Sequence, residues 1–85
     1  MSPKALKTLR EAAKFVGDEK AKGTAPELVI LALLKNFGAK RAVSGGAHTL
    51  RCGTVAASCT WSRDKGLLDN WNRNATIRLA REAMA

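Results

Sequence analysis

The sequence predicts an α+β domain: two N-terminal helices, a small antiparallel β-hairpin or three-stranded meander, and a C-terminal helix. Three observations lead there. Apolar residues recur at helical spacing near both ends of the chain. The stretch between, "AKRAVSGGAHTLRCGTVAASCTW", exchanges Leu and Glu for Val, Thr, Cys and glycine breaks. That stretch also sorts into an apolar and a polar face under one strand register. Helices would then pack on the apolar face of a small sheet. The chain of 85 residues is expected to form one domain, 1–85. At that length it buries only about 60% of its unfolded surface, so its stability is modest.

Ser2 is placed to cap the first helix, with Pro3 at the first helical position, where its missing N–H costs nothing. Ala5, Leu6, Leu9, Ala12, Ala13 and Val16 form the apolar stripe, and Lys7, Arg10 and Lys14 lie opposite. The helix should end near Lys20 to Lys22, before Gly23. "TAPE" (24–27) reads as a capping box, with Thr24 as cap and Glu27 reaching back to its N–H. The next helix, "LVILALLKNF", is apolar nearly all round, which suits the middle of a core. Gly38 supplies the left-handed residue that ends it.

Gly53-Thr54 suits a two-residue type II′ turn. It pairs Cys52 with Val55, Leu50 with Ala57 and His48 with Cys59. One face then carries His48, Leu50, Cys52, Val55, Ala57, Cys59 and Trp61; the other carries Thr49, Arg51, Ala56, Ser58 and Thr60. A two-stranded hairpin is marginal alone, and Lys40 to Val43 offers a third strand through the Ser44-Gly45-Gly46 turn. Asp64 can cap the last helix, from about Lys65 to Ala83, with Leu68, Trp71, Ala75, Leu79 and Ala83 turned inward.

Fifteen Lys and Arg against seven Asp and Glu give a formal charge of +8. A field of this sign attracts nucleic acid, an anionic membrane or an acidic protein. A membrane-surface role is disfavoured because the apolar stripe of the first helix is needed for the core. The longest apolar run, "LVILALL" (28–34), falls far short of a bilayer span of ~20 residues. The N-terminal residues are helix-patterned and carry Lys4, Lys7 and Arg10, unlike a secretory signal. Two cysteines without an export signal are expected as thiols, which points to the cytoplasm.

The chemistry-bearing residues are few. His48, Cys52 and Cys59 are the only strong metal ligands, whereas a structural zinc site wants four. The register separates the two cysteines by four ladder positions, roughly 13 Å at about 3.3 Å per residue, beyond the ~7 Å reach of a disulfide. There is one histidine, no G-x-S-x-G setting and no phosphate-cradling glycine loop, so no enzyme, metal or cofactor is expected.

Nucleic acid and protein partners remain. At ~100° per residue, the outward face of the last helix holds Asn70, Arg73, Asn74, Ile77, Arg81 and Met84. Asn pairs bidentately with adenine, Arg with guanine, and an aliphatic carbon touches the thymine methyl. Arg78 flanks this face within reach of a phosphate, Arg63 and Lys65 sit at the helix start, and Lys40, Arg41 and Arg51 extend the positive surface. An Asn-rich face is a poor choice for mere solvation, because Glu or Lys forms helix better. The leading expectation is therefore a small nucleic-acid-binding protein, DNA favoured over RNA, of the kind a DNA-binding regulator would be. The alternative is a small inhibitor or adaptor of mobile-element type that docks on an acidic protein surface. Ile77, Met84 and Trp61 would be its anchors, and exposed aliphatics would equally serve a homodimer.

The element order is not that of a winged helix. The basic run that double-stranded-RNA-binding domains carry at the last helix is replaced here by "SRDKG". No family is assigned from the sequence.

Overall fold

The computed structural model describes residues 2–60 and 63–84, without the side chain of Arg63. Helix α1 (Pro3–Lys22) begins as expected: the Ser2 hydroxyl accepts from the Ala5 N–H at 3.2 Å. It ends at Gly23, whose φ of 79° is open to glycine without side-chain strain. There the Gly23 N–H donates to Lys20 O at 3.1 Å and the Thr24 N–H to Glu19 O at 3.0 Å.

That second bond corrects the expected capping box. The Thr24 N–H is already used to close α1, so it is not available to Glu27. Helix α2 (Pro26–Asn36) instead starts from Ala25, with no side-chain cap. At its other end Gly38 has φ 67° and the Ala39 N–H reaches back to Leu33 O at 3.2 Å, the predicted glycine stop.

Three strands form an antiparallel sheet in the order β1-β2-β3: β1 (Lys40–Ser44), β2 (Ala47–Cys52) and β3 (Val55–Cys59). The meander is therefore complete. The register Cys52↔Val55, Leu50↔Ala57, His48↔Cys59 is the one the sequence predicts. The turn type differs. Gly53 (φ 58°) and Thr54 (φ 69°) are both left-handed, which makes the turn type I′ rather than II′. Thr54 is β-branched and strained there. Gly53 has a second reason to lack a side chain, because a Cβ would lie 3.0 Å from the Leu9 Cα of α1.

Helix α3 (Arg63–Met84) packs against β3, β2, α1 and α2 and is the centre of the fold. It buries Leu67, Leu68, Trp71 and Ala75 against Leu9, Ala12 and Val16 of α1, Val29, Ile30 and Leu33 of α2, and Leu50, Cys52, Val55 and Ala57 of the sheet. Trp71 is 0% exposed, and its indole N–H donates to Val55 O at 3.2 Å, so no polar atom is stranded. The predicted stripe holds through half-buried Leu79 but not to Ala83, which is exposed.

The expectation that α2 occupies the middle of the core is overturned. Leu28 and Leu31 are 56% and 45% exposed. The apolar face of the sheet is taken by the longer α3, and α2 lies to one side of it, touching α1 and α3 along a single face.

Candidate nucleic-acid interface

All three helices lie on one face of the sheet. Arg41↔Leu50 is a core-side pair with Leu50 fully buried, so the neighbouring pair Lys40↔Arg51 points to the helix-free side. Both side chains are exposed. Like charges directly opposite one another destabilise a sheet. The row continues across the sheet from Arg51 to Ala56. The rest of this face is small: Ala42, Ser44, Ala47, Thr49 and Ser58.

Beside Ala56 lies α3. The two-residue turn makes Cys52↔Val55 a ladder-bonded pair, so Ala56 and Ser58 point both their N–H and C=O groups away from β2. Asn70 Nδ2 donates to Ser58 O at 2.9 Å, and Asn74 Nδ2 donates to Ala56 O at 3.1 Å. The spacing fits: four helix residues rise about 6 Å and two strand residues about 6.6 Å. The asparagines thus take up two carbonyls of the β3 edge, as a fourth strand would.

Their position differs from the expected outward face. Asn70 and Asn74 lie at the flank of α3 against the sheet, half-buried, with their amide donors engaged. Asn70 Oδ1 also accepts from Arg73 Nη2 at 3.2 Å. The outward stripe that remains is Arg73, Ile77, Arg81 and Met84, all exposed; Ile77 is 45% and Met84 88% exposed.

One turn beyond Asn74, the edge of β3 and the C-terminal half of α3 diverge. They leave an open cleft of about 330 Å³. Thr54, Val55 and Ala56 form its strand wall, and Asn74, Ile77, Arg78 and Arg81 its helix wall. Arg78 Nε is 3.4 Å from Glu82 Oε1, while its terminal nitrogens have no carboxylate within ion-pair distance among the described residues. The same holds for Lys40, Arg51, Arg73 and Arg81. The sequence reading missed Thr54, Val55 and Ala56 as lining residues.

Two further residues expected to touch nucleic acid are paired with carboxylates. Arg41 is half-buried on the core side of β1; its Nη2 bonds the Asp64 carboxylate and lies 3.1 Å from His48 Nδ1. Asp64, expected as a cap, sits inside the first turn of α3 and serves this ion pair instead. Lys65 Nζ pairs with Asp69 Oδ2 at 3.1 Å, although its side chain remains largely exposed. Lys20 holds the other oxygen of Asp69 and ties α1 to α3. The side chain of Arg63 and the whole of Trp61 lie outside the described residues.

The cysteines stay thiols among the described residues, at ladder positions too far apart to bond. Burial pushes the Cys52 thiol up to about 11. Among the described residues no three His, Cys, Asp or Glu side chains gather as a metal site would require, and no helix is long and apolar enough to cross a membrane. No protein-family model, curated protein or solved structure matches the chain.

Proposed function

We propose that this protein binds nucleic acid, duplex DNA in preference to RNA, chiefly through its phosphate backbone. The carrying observation is the cross-strand pair Lys40↔Arg51 on the helix-free face, in one row with Ala56 and next to Arg78 and Arg81. Two cations held opposite each other with no acid between them favour a polyanion as the missing counter-charge.

The preference for a duplex has two supports. The helix-free face carries small residues and, among the described residues, no aromatic on which an unpaired base could stack. The exposed stripe Arg73, Ile77, Arg81 lies on a helix, an element that the major groove of B-DNA admits and that of A-form RNA does not. With the asparagine amides engaged, sequence preference falls to Arg73, Arg81 and the Ile77 methyls. A regulator built this way would discriminate modestly among sequences.

The test is fluorescence anisotropy with labelled duplex DNA, duplex RNA and single strands, at about 50 and 200 mM salt. Engagement of about five phosphates gives a slope of log K against log salt near −4.5. Absence of duplex binding at the lower salt would sink the proposal.

A second reading, a small inhibitor or adaptor on an acidic protein surface, draws on the exposed aliphatics Leu28, Leu31, Ile77 and Met84. Under it, polar substitutions at Ile77 and Met84 abolish binding to the partner, and duplex DNA does not compete.

A further inference from the structure

We propose that the cleft between the β2–β3 turn and α3 is a pocket for a phosphate monoester, the 5′-phosphate of a terminal nucleotide. The inference rests on the nucleic-acid reading above for its choice of ligand and names the group that this end of the basic band holds.

Three independent features converge on the cleft. Arg78 and Arg81 stand one turn-step apart on its helix wall, and guanidinium forks match the oxygens of phosphate. Ala56 directs its backbone N–H to the β3 edge on the opposite wall, beside the carbonyl that Asn74 occupies. Thr54 is held at φ 69°, a conformation a β-branched residue rarely adopts, and it lines the same wall. Glycine or asparagine would suit that turn position better, so the threonine side chain there costs stability. Its hydroxyl is a donor suited to an anionic oxygen.

Shape and charge select the ester. An inorganic anion alone would leave most of a space of about 330 Å³ unfilled, a volume at the lower end of small-molecule sites. Ile77, 45% exposed, gives the cleft an apolar side for the sugar and base. A monoester carries nearly two negative charges and three terminal oxygens, whereas an internal phosphodiester has one charge and two free oxygens. Two arginines with an N–H and a hydroxyl suit the former. Glu82 pairs with Arg78 through its Nε, which leaves the terminal nitrogens without a carboxylate partner among the described residues.

The experiment is an NMR titration of the full ¹⁵N-labelled chain with deoxyadenosine 5′-monophosphate, deoxyadenosine and inorganic phosphate. It is paired with anisotropy on duplexes bearing 5′-phosphate or 5′-hydroxyl ends. Saturable shifts at the Thr54 and Ala56 amides with the monophosphate, tighter than with inorganic phosphate and absent with the nucleoside, are expected. Arg81→Gln should weaken monophosphate binding about tenfold, as loss of a charge-assisted hydrogen bond does. Thr54→Gly, which relieves the turn and keeps it folded, should also weaken it. Monophosphate binding no tighter than inorganic phosphate, or unaltered in Arg81→Gln, overturns the assignment. Equal affinity for the two duplex ends with the salt slope intact overturns it too, yet leaves the nucleic-acid reading standing. Loss of all duplex binding removes the reading itself and this inference with it.

Discussion

The side-chain amide of Asn74 donates to the backbone carbonyl of Ala56 at 3.1 Å, so a helix side chain takes up an outward carbonyl of a sheet edge. Asn70 repeats the arrangement at Ser58 one helical turn earlier. Two carbonyls of the β3 edge are taken up in this way, and α3 is fixed in rotation about its own axis. That rotation decides which side chains of α3 meet solvent.

Asn74→Ala should therefore cost about 1 kcal/mol of stability, the ordinary loss for one hydrogen bond, and Asn70→Ala a similar amount. Neither should alter the order of preference among DNA sequences. Urea denaturation and anisotropy on a panel of duplexes check both statements. A base-reading asparagine would show the reverse: unchanged stability and altered preference.

Lys40→Ala or Arg51→Ala should raise stability by a few tenths of a kcal/mol at low salt, because each removes one member of a like-charge cross-strand pair. The gain should vanish as salt screens the pair. Duplex affinity should fall in the same variants, and the salt slope should shrink by about one for each phosphate no longer neutralised. Stability and binding moving in opposite directions is the signature of a site built at the expense of the fold.

The turn offers a matched pair of variants. Gly53→Ala forces φ 58° on a residue with a Cβ and places that atom 3.0 Å from the Leu9 Cα. A loss of at least about 2 kcal/mol is expected, since strain and overpacking combine. Thr54→Gly should instead stabilise by roughly 1 kcal/mol. Thermal unfolding of the two, side by side, tests whether the turn is strained at one position and crowded at the other.

Asp69 carries a pH dependence in the acid range. The hydrogen bond from Lys20 lowers its carboxyl below the usual value of 3.8, Lys65 adds to this, and partial burial opposes it. A group whose folded value is depressed contributes stability that is present above its unfolded value. That contribution is lost as pH falls below about 3.8 toward the folded value. Asp69→Asn should be less stable than the parent at pH 7, and the two curves should converge in strong acid. Urea midpoints measured from neutral pH to pH 2 check this.

Cys52 should resist alkylation while the chain is folded. Burial raises its thiol from 9.0 to about 11, so it stays protonated and inaccessible at pH 8. Cys59 is only half-buried and should react first. Mass spectrometry after brief iodoacetamide treatment reads the order. The same shift predicts that stability declines as pH rises past about 9, where the unfolded chain loses the proton and the folded one keeps it.

By itself the sequence determined the three helices, the β2–β3 hairpin with its register, and most of their ends. Those depend on local matters: Ser2 and Gly23 at the ends of α1, Gly38 after α2, and alternation about Gly53-Thr54 with its period of two. It also turned Trp71 inward, because helical periodicity sorts large apolar residues from charged ones. Tertiary structure alone decided what the polar residues of α3 do. Asn70 and Asn74 have the same identity whether they face a groove of DNA or an unpaired strand edge, and helical spacing places a residue only within some tens of degrees. Whether β3 runs alongside them is a long-range fact. The same holds for the exposure of Leu28 and Leu31, which depends on α3 occupying the sheet's apolar face. It holds equally for Lys40 beside Arg51, which depends on the third strand pairing at all. Local pattern states what a side chain can do; only the neighbours that the fold brings to it settle which of those bonds is made.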